Sequence, residues 1–409
     1  MSTATTGGPA PKTNEGMRPL QGMRILTVEQ FGAGPYGTMF LADLGAEVIK
    51  VENASIGGDP ARYSGPFLLG DADSEYFQSW NIGKRSISLD LKSAEGREAL
   101  LRLVREADAV VNNLRGDQPE KLKIDYASLK AINPAVVCLH ISAYGRDNDR
   151  KAWPGYDFLM QAEAGLMSVT GEPDGAPAKF GPSIIDYMTG MTGMVGLLSC
   201  VIRARQTGEG CDVDTCLFDV ALHQMSYTAT WYLNNGHVTH RQPRSAHFSV
   251  APVQTFPTAD GWIFVMCMTE KFWLNLLNVM GREDIARDER FSTFDGRRVN
   301  RAELSTVLDV EFRRRSTEEW LSLMSGVLPV APVYDMEQAF ANPFLEQTGM
   351  VREIAHPANP ALKVLASPLK IDGQRPPSVA AAPLGADNCA LLGSPLPAST
   401  PEPMHSSAI

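Results

Sequence analysis

Short apolar runs alternate with amphipathic stretches through the first half of the chain. The runs predict strands, and the stretches between them, with apolar residues three or four positions apart, predict helices. Strands are predicted at 23–28, 47–51, 86–89, 109–111, 136–141 and 211–214. Helices are predicted at 34–44, 94–107, a segment closing at 129–132, and 184–205. Such strand–helix alternation predicts a parallel sheet covered by helices on both faces.

The pattern changes after residue 216. A helical stretch at 216–235 leads into a polar loop, a hairpin at 253–264 around Ala259-Asp260-Gly261, and helices at 272–280 and 301–312. This mixture predicts a smaller α+β domain inserted into an α/β domain. The expected boundaries are a disordered tail at 1–18, the large domain at 19–225 and 331–393, the small domain at 226–330, and a second disordered tail at 394–409.

Composition narrows the function classes. The 409 residues carry a formal net charge of −10, which argues against nucleic-acid binding but allows a small polyanionic ligand. The longest apolar stretch, 188–201, is interrupted by glycines and is shorter than the roughly 20 residues that span a bilayer. No secretory signal is recognisable, and the six widely spaced cysteines suggest buried reduced thiols and no metal site. We therefore expect a cytoplasmic protein without nucleic-acid or membrane partners.

Four sequence motifs are more specific than composition. Gly32-Ala33-Gly34-Pro35 follows the first strand but lacks the G-x-G-x-x-G spacing of nicotinamide-binding folds. It lies within the longer run VEQFGAGPYGTMFLADLGAEVIKVE at 28–52. Further runs are NIGKRSISLDLK at 81–92, GYDFLMQAEAGLMSVTG at 155–171 and APLG at 382–385. Together they resemble the class III CoA-transferase family, which also contains the α-methylacyl-CoA racemases.

The resemblance implies both a fold and an activity. The fold is a Rossmann-like large domain built from both chain ends, with a small domain between, in a homodimer of two interlocked subunits. The activity is movement of CoA from an acyl-CoA, such as succinyl-CoA, to a free dicarboxylic or hydroxy acid through an aspartyl-CoA thioester. CoA thioesters would be substrates, and no tightly bound cofactor is expected. An acyl-CoA racemase and a CoA-binding protein without turnover are the alternatives.

Two aspartates compete for the central role. Asp186 stands at the position of the transferase nucleophile, and a carboxylate suits that covalent chemistry. It also begins an apolar helix, whose dipole is expected to keep it ionised, so on local grounds it would simply cap that helix. Asp157 stands where racemases have a catalytic aspartate after a histidine. Here Tyr156 replaces that histidine, which favours a structural role for Asp157.

The remaining candidates follow from family position. Expected CoA contacts are Ala33, Leu89, Lys92, Asn113, Leu114 and Lys121. Asn53 and Lys121 replace arginines of formyl-CoA transferase, so bidentate contacts are lost. Tyr76 and Tyr156 match tyrosines of an acyl pocket. The loop at 244–252 resembles that of dicarboxylate transferases, and His247 or Arg244 is expected to meet a distal carboxylate.

Overall fold

The computed structural model describes residues 18–393, so the predicted tails lie outside the described residues except for Arg18. The described chain forms two compact units. The first contains the residues up to Met160, Gly181–Gln224 and the residues from Phe344 onward, and the second contains Gln161–Phe180 and Met225–Pro343. The segment 161–180, which the sequence pattern assigned to the large domain, thus belongs to the second unit.

A six-stranded parallel sheet organises the first unit. Its strands are β1 Arg24–Val28, β2 Glu47–Glu52, β3 Arg85–Ser88, β4 Ala109–Asn112, β5 Val137–Ser142 and β6 Cys211–Cys216. They lie in the order β3-β2-β1-β4-β5-β6, which is the order of doubly wound dinucleotide-binding folds. The order reverses between β1 and β4, and ligands of such sheets bind outside the carboxyl ends of the strands at that point. The predicted parallel α/β arrangement is confirmed.

Helices of the first unit connect and cover these strands. They are α1 Ala33–Asp43, α2 Glu75–Asn81, α3 Ala94–Val104, α4 Gln118–Leu122, α5 Tyr126–Leu129, α6 Asp157–Glu163 (which runs into the second unit), α7 Ile184–Thr207 and α8 Leu217–Gln224. Every residue of β4 and β5 is buried, as expected for central parallel strands. The sheet therefore forms a rigid support for the loops that leave its carboxyl edge.

Helix α7 begins at the predicted residue and ends two residues beyond the predicted end at 205. Its 24 residues include an 18-residue window with a mean hydropathy of 1.4, so length and composition alone would let it cross a membrane. The expectation that this stretch is too short to span a bilayer is therefore wrong. In the structure it packs against α1, where a Cβ on Gly190 would lie 2.4 Å from the carbonyl oxygen of Ala33. The glycines of α7 thus allow two helix backbones to approach closely.

The second unit combines helices with a small antiparallel sheet. The sheet contains β7 Val253–Pro257, β8 Trp262–Met266 and β9 Val330–Pro332. The helices are α9 Ser226–Asn235, α10 Glu270–Met280, α11 Glu283–Ala286, α12 Phe294–Val299, α13 Arg301–Phe312, α14 Thr317–Met324 and α15 Met336–Phe340. The single helix predicted at 216–235 is two helices, because Ser226 has a φ of +47° and breaks the helical path.

The chain returns to the first unit through α16 Phe344–Thr348, the hairpin of β10 Val351–His356 and β11 Asn359–Leu365, and α17 Asn388–Leu392. Asp387 ties this return to the sheet, since its carboxylate accepts the Nε–H of Arg85 at 2.8 Å. All six cysteines are free thiols. The expectation that they are buried holds for Cys138, Cys216 and Cys267, whereas Cys200 and Cys211 are partly exposed and Cys389 is exposed.

Candidate active site

A cavity of about 330 Å³ opens at the carboxyl ends of β1, β4 and β5. Its lining is Gln30, Phe31, Gly32, Ala33, Asn113, Leu114, Arg115, Gln118, Ile141, Ser142, Ala143, Pro154, Gly155, Tyr156, Asp186 and Leu217. The cavity therefore occupies the crevice where the strand order reverses. Asp186 is the only acidic side chain in this lining, and Arg115 is the only basic one.

Three side chains fix the loop that follows β1. Lys50 donates its Nζ–H to the carbonyl oxygen of Glu29 at 2.9 Å. Asn113 pairs with the backbone of Gln30 in both directions, at 2.9 and 2.6 Å. Asp59 accepts the N–H of Phe31 at 3.2 Å. Phe31 has a φ of +53°, which costs a residue with a Cβ free energy, so these contacts hold an unfavourable turn in place.

The fixed loop brings Gly32 against the Asp186 carboxylate. A Cβ built on Gly32 would lie 2.2 Å from Oδ2 of Asp186, well inside van der Waals contact. Only glycine leaves room for the carboxylate at this place. The first strand, its turn and the beginning of α7 are thereby brought together around one side chain.

Asp157, not Asp186, caps α7. Its Oδ2 accepts the backbone N–H groups of Ile185 at 2.5 Å and of Asp186 at 3.0 Å. The preceding residue, Ser183, makes no side-chain hydrogen bond to the helix end. Because the cap is supplied from elsewhere, the Asp186 carboxylate is available to the cavity. The local interpretation of Asp186 as a helix cap is wrong.

The electrostatic surroundings of Asp186 also differ from the expectation. Burial, followed by the negative charge of Asp157, raises the pKa of Asp186 to about 7. The helix end was expected to keep this carboxylate ionised, but the N–H groups that would do so are bonded to Asp157. A carboxylate with a pKa near neutrality is a stronger nucleophile once ionised and needs little free energy to lose its proton.

Aromatic side chains surround Asp186 within the first unit. Tyr187 stacks on Tyr36 with ring centroids 4.4 Å apart, and Tyr76 contacts Trp80 at 4.5 Å. Burial and the charge of Asp186 raise the pKa of Tyr76 to about 12, so its hydroxyl stays a donor at neutral pH. Rings of this kind keep water away from a reactive carboxylate.

The residues expected in the acyl pocket are distributed over both units. Tyr156 lines the cavity and is 63% exposed. Tyr76 is outside the lining, but the charge of Asp186 contributes to raising its pKa. His247 lies in the second unit, in the loop before β7. There, Arg244 is ion-paired with Asp309 at 2.5 Å and so already has a carboxylate partner.

Half of the expected CoA contacts lie at the cavity. Ala33, Asn113 and Leu114 belong to its lining, although Asn113 uses its amide on the backbone of Gln30. The others do not line it. Leu89, directly after β3, is buried in the core, Lys92 is exposed, and Lys121 is paired with Asp117 at 2.5 Å.

Several residues of the cavity lining were not predicted as ligand contacts from the sequence. Phe31 and Gly32 precede the recognised Ala33, and Arg115 follows the recognised Leu114. Their positions directly after β1 and β4 were the available signal, because the ends of neighbouring parallel strands converge. Leu217 follows β6 in the same way, whereas Gln118 carried no such signal.

Two buried ion pairs lie beside the loop that follows β1. Lys50 pairs with Asp59 at 2.9 Å, and Lys84 pairs with Glu29 at 2.7 Å. Burial lowers the pKa of Lys84 to about 8 despite the neighbouring carboxylate of Glu29. Lys84 is therefore an internal ion-pair partner of Glu29. Within residues 18–393, no three His, Cys, Asp or Glu side chains are grouped so that they could hold a metal ion.

One known protein family matches nearly the whole of this chain. Residues 20–388 match CoA-transferase family III. The chain belongs to CoA-transferase family III. The match covers both units and every residue of the cavity lining. This family member is therefore an enzyme of the transferase class.

Named relatives of this transferase act on dicarboxylic acids. A succinate–glutarate CoA-transferase of Agrobacterium fabrum is 35% identical over 81% of this chain and 84% of its own. A succinyl-CoA:mesaconate CoA-transferase of Haloarcula hispanica is 35% identical over 90% of this chain and 94% of its own. A solved structure, a CAIB/BAIF family protein from Brucella suis, has a TM-score of 0.80 and 33% identity over 92% of this chain and 98% of its own.

Proposed function

We propose that this enzyme moves CoA from succinyl-CoA to a second dicarboxylic acid, with Asp186 as the nucleophile. The observation that carries the proposal is the buried Asp186 carboxylate in the cavity. It does not cap α7, because Asp157 accepts the N–H groups at the start of that helix. Relatives with about a third of their residues in common bear the names of succinate–glutarate and succinyl-CoA:mesaconate transferases. Assembly as interlocked subunits and a cytoplasmic location remain predictions.

The proposed reaction uses two exchanges at one carboxyl group. The Asp186 carboxylate attacks the succinyl-CoA thioester carbonyl, the C–S bond breaks, and CoA leaves as a thiolate. The thiolate then attacks the Asp186 side-chain carbonyl of the mixed anhydride, which releases succinate and leaves an aspartyl-CoA thioester. The acceptor carboxylate reverses both steps: it displaces CoA from Asp186, and the thiolate then attacks the acceptor's carbonyl. The acceptor leaves as its CoA ester, and Asp186 is again a carboxylate.

The site offers groups suited to these steps. The turn at Gly32 and Ala33 begins α1, whose terminal N–H groups stabilise negative charge on a tetrahedral oxygen. The aromatic residues Tyr36, Tyr76 and Tyr187 limit hydrolysis of the anhydride and the thioester. Arg115 supplies a positive charge for the phosphates of CoA.

Trapping the enzyme–CoA adduct tests the proposal. The full-length protein is incubated with succinyl-CoA, and the Asp186 peptide is examined by mass spectrometry for bound CoA or for reduction by borohydride. We expect the adduct in the wild type and in the control Asp43→Asn, which alters a different buried carboxyl group, but not in Asp186→Asn. Transfer to labelled glutarate that persists in Asp186→Asn would refute the assignment. Deuterium exchange at the α-carbon of an acyl-CoA without transfer would favour a racemase.

A further inference from the structure

Two cysteines of the first unit lie in neighbouring elements. Cys200 belongs to α7, and Cys211 is the first residue of β6. The helix packs against this strand, and a Cβ built on Gly196 would lie 3.0 Å from Cγ1 of Val213. The glycine thus lets α7 approach β6 closely, and the contact fixes which residues of the helix face which residues of the strand.

Helix α7 and strand β6 run in opposite directions. Asp186, near the beginning of α7, lines the cavity at the carboxyl ends of the parallel strands. Arg205, near the end of the same helix, donates its Nε–H to the carboxylate of Asp108 at 2.8 Å, and Asp108 directly precedes β4. The helix therefore descends from the carboxyl edge of the sheet to its amino edge, whereas β6 rises the other way.

The spacing along both elements places the two thiols opposite each other. Cys200 lies four residues after Gly196, on the same helix face and about 6 Å farther toward the amino edge of the sheet. Cys211 lies two residues before Val213, on the same strand face and about 7 Å farther in that same direction. Equal steps from one close contact therefore bring Cys200 and Cys211 together.

The two thiols are near enough to interact. Burial, followed by a hydrogen bond with the Cys200 thiol, raises the pKa of Cys211. The positive charge of Arg203 opposes this rise, and the same guanidinium donates to the carbonyl oxygen of Gly210 at 3.4 Å. Both cysteines are partly exposed, so a small reagent can reach them. A neighbouring cation and partial exposure are conditions under which a thiol reacts.

Other thiols near this edge of the sheet face a different way. Residues paired in register share a face of the sheet, and successive residues of a strand alternate between faces. Cys138 pairs with Asp212, one residue after Cys211, and so lies on the face opposite to it. Cys216 is five residues after Cys211 and also points to that opposite face. Among these thiols, Cys211 therefore shares its face with Cys200.

We propose that Cys200 and Cys211 form a redox site, which a small disulfide such as oxidised glutathione converts into an intramolecular disulfide joining α7 to β6. One thiolate attacks a sulfur of the oxidised glutathione, the S–S bond breaks, and one glutathione leaves. The other thiolate then attacks the protein sulfur of the mixed disulfide, and the second glutathione leaves. The protein thiols lose two electrons and two protons, which reduce the oxidised glutathione to two glutathione molecules. The link fastens the helix that carries Asp186.

Oxidation of the folded, full-length protein tests the site. The reduced protein is incubated with oxidised glutathione, the remaining thiols are blocked with N-ethylmaleimide, and the peptides are mapped by mass spectrometry. We expect a peptide pair joined between Cys200 and Cys211. Cys389→Ser is the matched control and should keep this link, because α17 packs beside β3 at the opposite edge of the sheet. Glutathione retained on either cysteine without a link, or a link from Cys211 to Cys138 or Cys216, would overturn the site.

Thermal unfolding shows whether the link fits the native structure. A disulfide that joins groups already facing each other should raise the Tm by roughly 3 °C, and dithiothreitol should reverse the rise. Cys200→Ser should show no rise after the same treatment. An oxidised wild type that melts no higher than the reduced protein would mean that the thiols meet only in a distorted structure, which contradicts the proposal. Neither measurement uses a CoA ester, so both results are independent of the proposed function.

Discussion

Asp157 accepts the backbone N–H of Asp186 at 3.0 Å, so one carboxylate caps the helix on which the other stands. The two aspartates thus have separate tasks. Asp157 accepts hydrogen bonds from N–H groups at the start of α7 and adds a negative charge near Asp186. The carboxylate of Asp186 itself lies in the cavity. Asp157, at the position of the racemase aspartate, therefore has a capping and electrostatic role that does not require it to abstract a proton from a substrate.

Removing the charge of Asp157 should move the pH dependence of adduct formation. In the wild type, the rate should rise with pH through about 7 as Asp186 loses its proton. Asp157→Asn retains an acceptor for the helix N–H groups but removes the charge, so the midpoint should fall. It should stay above the ordinary value of an aspartate, because burial is the larger cause. The check is the rate of CoA attachment between pH 5 and 9, and an unchanged midpoint would contradict it.

The raised pKa of Asp186 should also reduce stability at high pH. The folded protein holds the Asp186 proton up to about pH 7, whereas the unfolded chain releases it near 3.8. Wild-type stability should therefore fall between these values by about 1.4 kcal/mol for each pH unit relative to Asp186→Asn, which does not titrate. Thermal unfolding of both proteins at pH 5 and pH 8 checks this. An advantage of the variant that does not grow with pH would contradict it.

Gly32 should be intolerant of a methyl group. In Gly32→Ala the added Cβ would lie 2.2 Å from the Asp186 carboxylate, which must then move. Moving the carboxylate by about 1 Å should slow CoA attachment about a hundredfold while the protein remains folded. Gly181→Ala is the matched control, because no atom lies within 4 Å of its added Cβ. Comparable rates for the two variants would show that the contact with Gly32 does not position the carboxylate.

The sequence predicted the sheet more fully than the site. Strands such as 136–141 were recognisable because a central parallel strand is continuously apolar, and β5 is buried throughout. The position of Asp186 followed from family resemblance. The capping by Asp157 could not be predicted, because it joins residues 29 positions apart that meet only after the chain has folded.

Substitutions in the buried pair of Lys50 and Asp59 should affect stability and activity differently. Both side chains are at most 1% exposed, and their charged atoms lie 2.9 Å apart. Lys50→Met alone strands a buried charge and should lower the free energy of unfolding by about 3–5 kcal/mol. Adding Asp59→Asn removes the stranded charge and keeps an acceptor for the N–H of Phe31, so the double variant should be more stable than the single one.

Activity should not recover in the same way. Lys50 also holds the carbonyl oxygen of Glu29, and neither Met nor Asn replaces that hydrogen bond. The turn through Phe31 to Gly32 should therefore stay loosened in the double variant, and CoA attachment to Asp186 should remain slow. Urea unfolding and adduct formation, measured on the wild type, both single variants and the double variant, test the two effects independently. If attachment recovers together with stability, Lys50 supports the fold alone and does not position the turn beside Asp186.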